Sequence, residues 1–403
     1  MNIQKLTTFL KYPVIVGVGA YFCLNYSFFL PFSGSYPPAA PFKVISYKNG
    51  VPDSVEAAAG VQYRKSGVGE FFLGKHYRFL WTTPVKVKVL NLQAEGMRLT
   101  KRGGGMQTTS FTITDKNGQT YSLRSLDKDP ISVIPQILWR TVLGSFIRDQ
   151  VSATDPYALK PVLSLAEKAG IAQAEGRLVF VLPNDPAFRN FNLKKSLLFY
   201  LTPKYSTPID SEKSEIQHLN FYSTEGMLKA LERNPGNRID TMQFLRCRLF
   251  DLYIGDWDRH AGQWDWVGFQ ARNDTVFQPI PKDRDQAFGN YEDGVFPFLL
   301  TRNFLVRKIT SLTAEYEDIE GFSQNGSQLD ERFLKAIPYE KFKPVIADLQ
   351  ARLNDEALAN AIRQYPKPIY PFVSEQLLST LKARREGLPQ AAKIYGEVLK
   401  NRK

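Results

Sequence analysis

The sequence predicts an α+β protein whose N-terminal part is rich in strands and whose C-terminal part is mainly helical. Segments of alternating apolar and polar residues lie before residue 130, and apolar residues at helical spacing dominate beyond residue 328. The chain has 403 residues, of which 43% are hydrophobic and 23% are charged. This composition is typical of a globular protein with a sizeable core and excludes a disordered or fibrous chain.

An uncharged apolar segment lies near the N-terminus. No charged residue occurs from Tyr12 to Phe42, and Val14–Phe32 is apolar over the ~20 residues that a bilayer core requires. We interpret residues 1–35 as a signal-anchor, a single transmembrane helix with its linker; a cleaved signal peptide and a buried core helix are the alternatives. Lysines lie on both sides of the segment and leave its orientation open, with a slight balance towards a soluble domain in the periplasm or at the cell surface.

Residues 36–190 form the predicted β-rich domain. The Asn117-Gly118 pair between two of its strands indicates a type I′ hairpin, because both residue types tolerate positive φ. The predicted strands are Val85–Leu92, Ser110–Asp115, Thr120–Leu126 and Leu178–Leu182. Apolar residues at helical spacing predict two helices, at Pro135–Val151 and Tyr157–Ala169.

Residues 191–403 form the predicted helical domain. It starts with an apolar run typical of a strand, Ser196–Leu201. Asp240 is placed to cap a helix that ends at Tyr253, since an aspartate can accept hydrogen bonds from the first free N–H groups of a helix. Further helices are predicted at Pro344–Leu353 and Ser374–Glu386.

The charge balance and the scarcity of cysteine and histidine limit the possible chemistry. With 52 Lys+Arg against 40 Asp+Glu, the formal charge is +12, which favours anionic partners. Two cysteines and three histidines exclude a disulfide scaffold and a cysteine-based zinc site, so a bound metal should be oxygen-ligated Mg²⁺ or Mn²⁺. The basic residues are scattered without interleaved aromatic residues, which disfavours nucleic acid and favours acidic lipids or glycans.

The residues best suited to chemistry lie in two acidic segments separated by a predicted hairpin. The first segment, IGDWDRH, contains Asp258, Arg259 and His260, and the second, KDRDQAFG, contains Asp283 and Asp285. Such a pair of segments suits reactions at phosphate. One carboxylate can orient or deprotonate a hydroxyl while another holds a divalent ion that neutralises the phosphoryl oxygens.

The segment I-G-D-W-D-R-H resembles the catalytic loop of the atypical kinases that have D-R-H where ordinary protein kinases have H-R-D. These are the phosphatidylinositol 3/4-kinases, the HipA-like kinases and the kinases of the secretory pathway. The resemblance implies a two-lobed protein-kinase-like fold, with a β-rich N-lobe and a mainly helical C-lobe. It also implies that Asp258 is the catalytic aspartate and Asp283 the metal-binding aspartate, with Asp285 as a competing candidate.

The same resemblance suggests roles for three further residues near the catalytic loop. Gln263 stands where the phosphatidylinositol kinases have a metal-binding Asn. His260 matches a histidine that assists deprotonation of the substrate hydroxyl in those kinases, although a structural role is an equal alternative. Arg259 either acts at the site or braces the loop by pairing with a carboxylate.

Upstream residues match the phosphate-binding parts of a kinase. Gly103, Gly104 and Gly105 are placed to cover nucleotide phosphates, and a flexible turn is the alternative interpretation. Either Arg124 or Lys128, at the end of the second hairpin strand, would hold the phosphates of ATP, where kinases ordinarily use a lysine. Residues 60–300 also resemble an uncharacterised bacterial module associated with the cell envelope, which assigns no chemistry.

We therefore expect a membrane-anchored atypical kinase that transfers the γ-phosphoryl group of ATP to a hydroxyl of a protein, lipid or glycan. Mg²⁺ or Mn²⁺ would be the metal. Two alternatives stay open: a catalytically inactive kinase-fold binding module at the envelope, and a metal-dependent phosphoesterase built on the same aspartates.

Overall fold

The computed structural model describes residues 41–103, 107–189, 193, 197–204, 220–301 and 306–402. The predicted N-terminal membrane segment lies outside these residues, as do Gly104 and Gly105. No helix within the described ranges combines the length and hydrophobicity that crossing a bilayer requires.

Twelve strands form two sheets in the described part of the chain. The larger sheet has eight strands in the order β1-β2-β3-β7-β8-β6-β5-β4, in which β3 and β7 run parallel and the other neighbours antiparallel. The smaller sheet has the order β10-β12-β11-β9. The strands are β1 (Phe42–Lys48), β2 (Val51–Ala57), β3 (Val85–Val89), β4 (Met97–Gly103), β5 (Thr108–Asp115), β6 (Thr120–Lys128), β7 (Arg177–Phe180), β8 (Leu198–Pro203), β9 (Asn220–Ser223), β10 (Arg238–Ile239), β11 (Trp264–Ala271) and β12 (Asp274–Pro281).

The α-helices are concentrated in the C-terminal half, so the predicted mixed α+β class with a β-rich N-terminal part is confirmed. The longest helix has 32 residues and contains Pro389. The described helices are α1 (Gly67–Leu73), α2 (Arg78–Thr82), α3 (Val142–Asp149), α4 (Leu159–Lys168), α5 (Thr224–Arg233), α6 (Thr241–Ile254), α7 (Val295–Thr301), α8 (Ile319–Phe322), α9 (Ser327–Leu334), α10 (Phe342–Arg352), α11 (Asp355–Ile362) and α12 (Tyr370–Asn401).

The larger sheet has one apolar face and one polar face. Cross-strand partners lie on the same face, and the row Phe111, Leu123 and Leu201 is buried in the core. The next row, Thr112, Ser122 and Thr202, lies on the opposite face because side chains alternate along a strand. β8 belongs to this sheet, so the sheet continues beyond the predicted domain division at residue 190.

The turn between β5 and β6 differs in detail from the sequence prediction. Between β5 and β6, Gly118 has positive φ (83°) but Asn117 is not among the residues with positive φ, so the turn is not type I′. The Asp115 carboxylate holds this turn by accepting hydrogen bonds from the N–H groups of Asn117 and Gln119. Between β11 and β12, Ala271 pairs with Asp274, which places the turn at Arg272 and Asn273.

Helix α6 is the centre of the C-terminal part. Asp240 caps it as predicted, by accepting a hydrogen bond from the N–H of Gln243 at 2.9 Å. The ten residues Phe244, Leu245 and 247–254 are all buried, so the helix is surrounded by other elements and does not have a single core-facing stripe. It ends at Gly255, whose φ of 71° is a left-handed conformation that glycine adopts readily.

Candidate active site

The polar face of the larger sheet supplies the cations of the candidate site. Arg124 and Lys128 both lie on β6, and their cross-strand partners on β5 are Ser110 and Thr108. The Ser110–Arg124 pair belongs to the same face as the Thr112–Ser122 row, because the residues alternate along each strand, and Arg124 is therefore directed away from the apolar core of the sheet. The register shifts between Ser110 and Thr108, so the position of Lys128 follows from its contact with Asp285 and not from alternation.

The loop that follows β12 brings two carboxylates to these cations. Asp283 forms an ion pair with Arg124, and the Lys128 Nζ lies 2.6 Å from Asp285 Oδ2. Asp283 itself has a φ of 49°, a left-handed conformation that aspartate tolerates better than most residues. The structure thus brings together four residues that the sequence proposed separately, and it pairs both cations instead of selecting one.

Electrostatics favour the charged forms of Asp285 and Arg124. Burial tends to raise the pKa of Asp285, but Lys128 and Arg124 outweigh it, and the net pKa of this carboxyl lies below its ordinary value. For Arg124, burial also disfavours the charged form and so lowers the pKa. Asp283, Asp285 and Asp258 raise it by more, and the net pKa of the guanidinium lies above its ordinary value. The charge of Asp258 therefore also acts on Arg124, which links the catalytic-loop candidate to the paired site.

Asp258 lies in the loop that follows α6. Its backbone N–H donates to Asp256 Oδ1 at 3.3 Å, and its Oδ1 accepts a hydrogen bond from Asn325 Nδ2 at 2.7 Å. Asn325, between α8 and α9, in turn accepts from Lys308 Nζ at 3.1 Å. This hydrogen-bonded chain fixes the direction of the Asp258 carboxylate.

Arg259 is buried and braces the loop, which is the second of the two roles that the sequence left open for it. Its guanidinium lies 3.0 Å from Asp251 Oδ2 and 2.7 Å from Asp256 Oδ2, and it donates to the carbonyl oxygen of Lys282 at 2.6 Å. Its side chain is inaccessible to solvent, as suits a residue that fixes a loop from the inside. Burial, opposed by Arg259 and reinforced by Asp251, raises the pKa of Asp256 to about 7.

His260 is exposed next to this loop, and one of its ring nitrogens is occupied. Its Nδ1 accepts a hydrogen bond from the N–H of Gly262 at 3.0 Å, as the cap of a short 3₁₀ turn. In the neutral ring the proton is therefore on Nε2. In this arrangement His260 can donate a hydrogen bond, whereas accepting the proton of a substrate hydroxyl requires it to give up the cap.

Gln263 lies beside the paired site. Its carbonyl oxygen accepts a hydrogen bond from the N–H of Lys282, so it is opposite the residue before Asp283. The residue as a whole is 8% exposed, and its side-chain Oε1 is buried without a hydrogen-bond partner among the described residues. Buried polar atoms are nearly always satisfied, so an unpaired oxygen here suits a ligand or metal.

The donor set near Asp283 is small. Within the described ranges, no group of three or more His, Cys, Asp or Glu side chains is arranged to hold a metal. Asp283 and Asp285 lie two residues apart in the loop after β12, and Mg²⁺ in phosphate chemistry is commonly held by one or two carboxylates together with the phosphates. The residues present thus fit a metal that arrives with a phosphorylated ligand.

The tryptophans of this region are packing residues. The rings of Trp264 and Trp266 lie 4.9 and 5.9 Å from that of Phe244 on α6. Trp257 contacts Tyr291 edge to face at 6.4 Å. Of the glycine-rich loop, Gly103 ends β4, and the rest lies outside the described residues.

Two site residues were missing from the sequence interpretation, Asn325 and Lys308. Asn325 is 67 residues from Asp258 along the chain and lies in no motif, so no local pattern indicates their contact. The hydrogen bond depends on the packing of the α8–α9 connection against the end of α6.

Fold and site together define an α+β protein in which paired cations and carboxylates meet between the larger sheet and the loop that follows β12. No family model and no curated protein matches the chain. It is similar to crystal structures of a Helicobacter pylori proinflammatory kinase, CtkA, at 13% identity and a TM-score of 0.35, covering 76% of this chain and 97% of that chain. The crystal structure of the Golgi casein kinase matches at 12% identity and a TM-score of 0.32, covering 76% of this chain and 72% of that chain. The structure of the Golgi casein kinase with Mn and ADP bound matches at 12% identity and a TM-score of 0.30, covering 76% of this chain and 74% of that chain. With scores this low, these likenesses assign no function.

Proposed function

We propose that this chain is a metal-dependent phosphotransferase of the kinase type. The observation that carries the proposal is the pair of contacts between β6 and the loop after β12, Arg124 with Asp283 and Lys128 with Asp285. Kinases need a cation on a strand of the N-terminal sheet opposite a metal-binding aspartate, because the phosphates of the donor lie between them. Asp258, which acts electrostatically on Arg124, completes the set.

The residues divide into three roles in this proposal. Arg124 and Lys128 would neutralise the phosphates of the donor. Asp258 would orient the acceptor hydroxyl and accept its proton as the new phosphate ester forms, while the leaving phosphate keeps the electrons of the broken bond. Asp283, with Asp285 or Gln263, would hold Mg²⁺ or Mn²⁺, which when bound neutralises the phosphoryl oxygens. The acceptor class and the membrane anchor remain predictions from the sequence.

A non-catalytic binding module is the second candidate. One contact favours it: Arg124 already neutralises Asp283, which competes with a metal for the same carboxylate. In this case the cleft would bind an anionic ligand without converting it, and neutralising Asp258 would leave the binding of that ligand unchanged.

Thermal unfolding of the full chain with ATP or ADP, with and without Mg²⁺ or Mn²⁺, tests the proposal. A ligand that binds only the native state stabilises it by ~2.7 kcal/mol at a hundredfold excess over Kd, so occupancy should be visible. We expect a nucleotide shift that needs metal and is lost in Asp283→Asn. Asp53→Asn, on the exposed β2 pair with Lys88, is the matched control and should keep the shift.

Turnover then separates the two candidates. In the kinase, Asp258→Asn should retain the nucleotide shift and lose ~10²-fold or more of phosphotransfer, measured as ADP release with an acceptor mixture. Nucleotide binding with no transfer in the wild type would favour the binding module. A shift with metal alone would favour the phosphoesterase, and no shift in any condition would contradict all the catalytic proposals.

A further inference from the structure

A second basic region lies on the polar face of the larger sheet, apart from the Arg124–Lys128 pair. The cross-strand register aligns Lys101 on β4 with Thr112 on β5, Ser122 on β6 and Thr202 on β8. Since directly paired residues lie on one face, this row crosses four strands of the sheet. Arg124 lies two residues from Ser122 and so on the same face, which places the row beside the candidate active site.

Lys204 extends this row. Its backbone N–H donates to the Thr120 carbonyl at 2.9 Å, which continues the β6–β8 pairing by one residue. Its Nζ lies 2.9 Å from the hydroxyl oxygen of Thr112, two strands away. The long side chain is thereby held across the polar face of the sheet and directed towards Lys101.

Positive charges converge on this row. Burial lowers the pKa of the Lys204 ammonium, and Lys101, Lys282 and Arg124 lower it further, while Asp265 acts in the opposite direction. Asp265 is itself paired with Lys282 at 2.7 Å. Neither Lys101 nor Lys204 forms an ion pair with a carboxylate among the residues that the structure describes. A bound anion would offset the repulsion between these cations, so the row is suited to anion binding.

The composition of the face indicates what kind of ligand suits it. The paired strand positions on this face carry hydroxyl groups, two cations, one glycine and one aromatic ring: Ser110, Thr112, Ser122, Thr202, Lys101, Arg124, Gly103 and Tyr200. The carboxylates of Asp283 and Asp285 reach the face from the loop after β12 and are paired with Arg124 and Lys128. Hydroxyls and ammonium groups donate hydrogen bonds to phosphate oxygens. A planar base, by contrast, is usually held by apolar or aromatic side chains.

We propose that Lys101, Lys204 and Thr112 form a second phosphate subsite, so that the cleft takes a small molecule with several phosphate groups. One phosphate is held by Arg124 and Lys128, and another by the second subsite. The inference goes beyond the proposed transfer reaction, since binding at the second subsite needs neither metal nor turnover. An inorganic polyphosphate chain, a polyphosphorylated ring and a nucleoside triphosphate share this chemistry.

Isothermal titration of the full chain without divalent metal, using tripolyphosphate, inositol hexakisphosphate and ATP as separate probes, tests the subsite. We expect Lys204→Met to weaken binding of the best probe by about tenfold or more, which corresponds to the loss of one charge-assisted contact. Lys204→Arg should bind within ~3-fold of the wild type because it keeps the charge. Lys86→Met, which removes an exposed lysine of β3, is the matched control and should bind as the wild type does.

The outcomes separate this inference from the proposed function. The subsite is overturned if Lys204→Met binds the probe as tightly as the wild type does. It is also overturned if Lys204→Met and Lys86→Met lose the same affinity, because binding would then depend only on the net positive charge of the protein. If Lys204→Met does not fold, Thr112→Val takes its place, and unchanged binding there has the same meaning. Asp283→Asn should abolish the metal-dependent nucleotide shift but preserve metal-free tripolyphosphate binding. Loss of both would show that metal-free binding also depends on Asp283, and it would overturn the separate second subsite.

Discussion

The direction of a single carboxylate decides whether Asp258 can act as a base. Asn325 donates to its Oδ1 at 2.7 Å, and Lys308 donates to Asn325 while lying 5.5 Å from the Trp257 ring centre. With one oxygen occupied in this way, the proposed phosphotransfer would use the other oxygen for the acceptor hydroxyl. Asn325 is therefore a positioning residue, because it acts through Asp258 and not on the ligand.

Asn325→Ala should lower kcat of the proposed phosphotransfer by about tenfold, because a misdirected base loses part of its effect. The KM for nucleotide should stay unchanged, since Asn325 does not contact Arg124 or Asp283. Steady-state kinetics of the variant measure both values. Asn360→Ala, which removes an exposed amide of α11, is the control. An unchanged kcat, or a rise in KM alone, would contradict this positioning role.

The sequence identified most of the residues at the candidate site but not their contacts. Asp258, Asp283, Asp285, Arg124 and Lys128 all lie in short motifs or on strands with clear alternation. The pairing of both cations depends on the register of β5 with β6 and on the left-handed Asp283, and neither property has a local signature.

At the scale of elements, a network of buried charges joins helices to the two site loops. Arg248 on α6 contacts Asp330 on α9 with Nε–Oδ1 and Nη2–Oδ2 distances of 2.7 and 2.9 Å. Asp251, one turn further along α6, accepts from Arg248, and its other contacts are to Arg259 in the loop after α6 and Arg284 in the loop after β12. These side chains are almost fully buried, so the network fixes both loops to the helical core.

Asp330→Asn should lower the free energy of unfolding by about 3–5 kcal/mol, because it leaves Arg248 buried with too little opposing charge. Chemical denaturation of the variant measures the loss. Glu225→Gln breaks an exposed pair with Lys229 on α5 and should cause no measurable change. A loss no larger than that of Glu225→Gln would show that the buried network does not stabilise the fold.

The sequence prediction of helix α3 is too long at its N-terminus, because a capping residue interrupts the apolar spacing on which the prediction depends. The apolar spacing of Pro135–Val151 predicts one helix, but α3 begins only at Val142. Thr141 has extended backbone angles and accepts a hydrogen bond from the N–H of Gly144, so it starts a new helix and ends the preceding turn. The helix from Asp240, by contrast, has both a cap and a terminal glycine in its sequence and was predicted within a residue.

At the scale of the whole molecule, a buried carboxyl joins the sheet side to the helical side. Asp155 precedes α4 and accepts hydrogen bonds from the Tyr157 N–H at 2.8 Å and from the hydroxyl of Tyr365, which follows α11. Asp155 and Tyr365 are 210 residues apart. Sequence composition predicts a large common core, but a contact this distant along the chain depends on the final packing of α4 against α11.

Burial raises the pKa of Asp155 from its ordinary value of 3.8 to about 6, although the bonds from Tyr365 and Tyr157 oppose the shift. The folded protein therefore holds this proton more tightly than the unfolded chain. The resulting stabilisation is complete below pH 3.8 and is lost as the pH rises through about 6.

Asp155→Asn removes this titration, so the stability of the wild type relative to the variant should fall by about 2–3 kcal/mol between pH 4 and pH 7. Urea denaturation of both proteins across that range measures the difference. Tyr365→Phe should move the loss to higher pH, because the lost hydroxyl bond favours the ionised carboxylate. A constant difference between wild type and Asp155→Asn would mean that Asp155 has the same proton affinity in the folded and unfolded chain, and that water reaches it at the junction of α4 and α11.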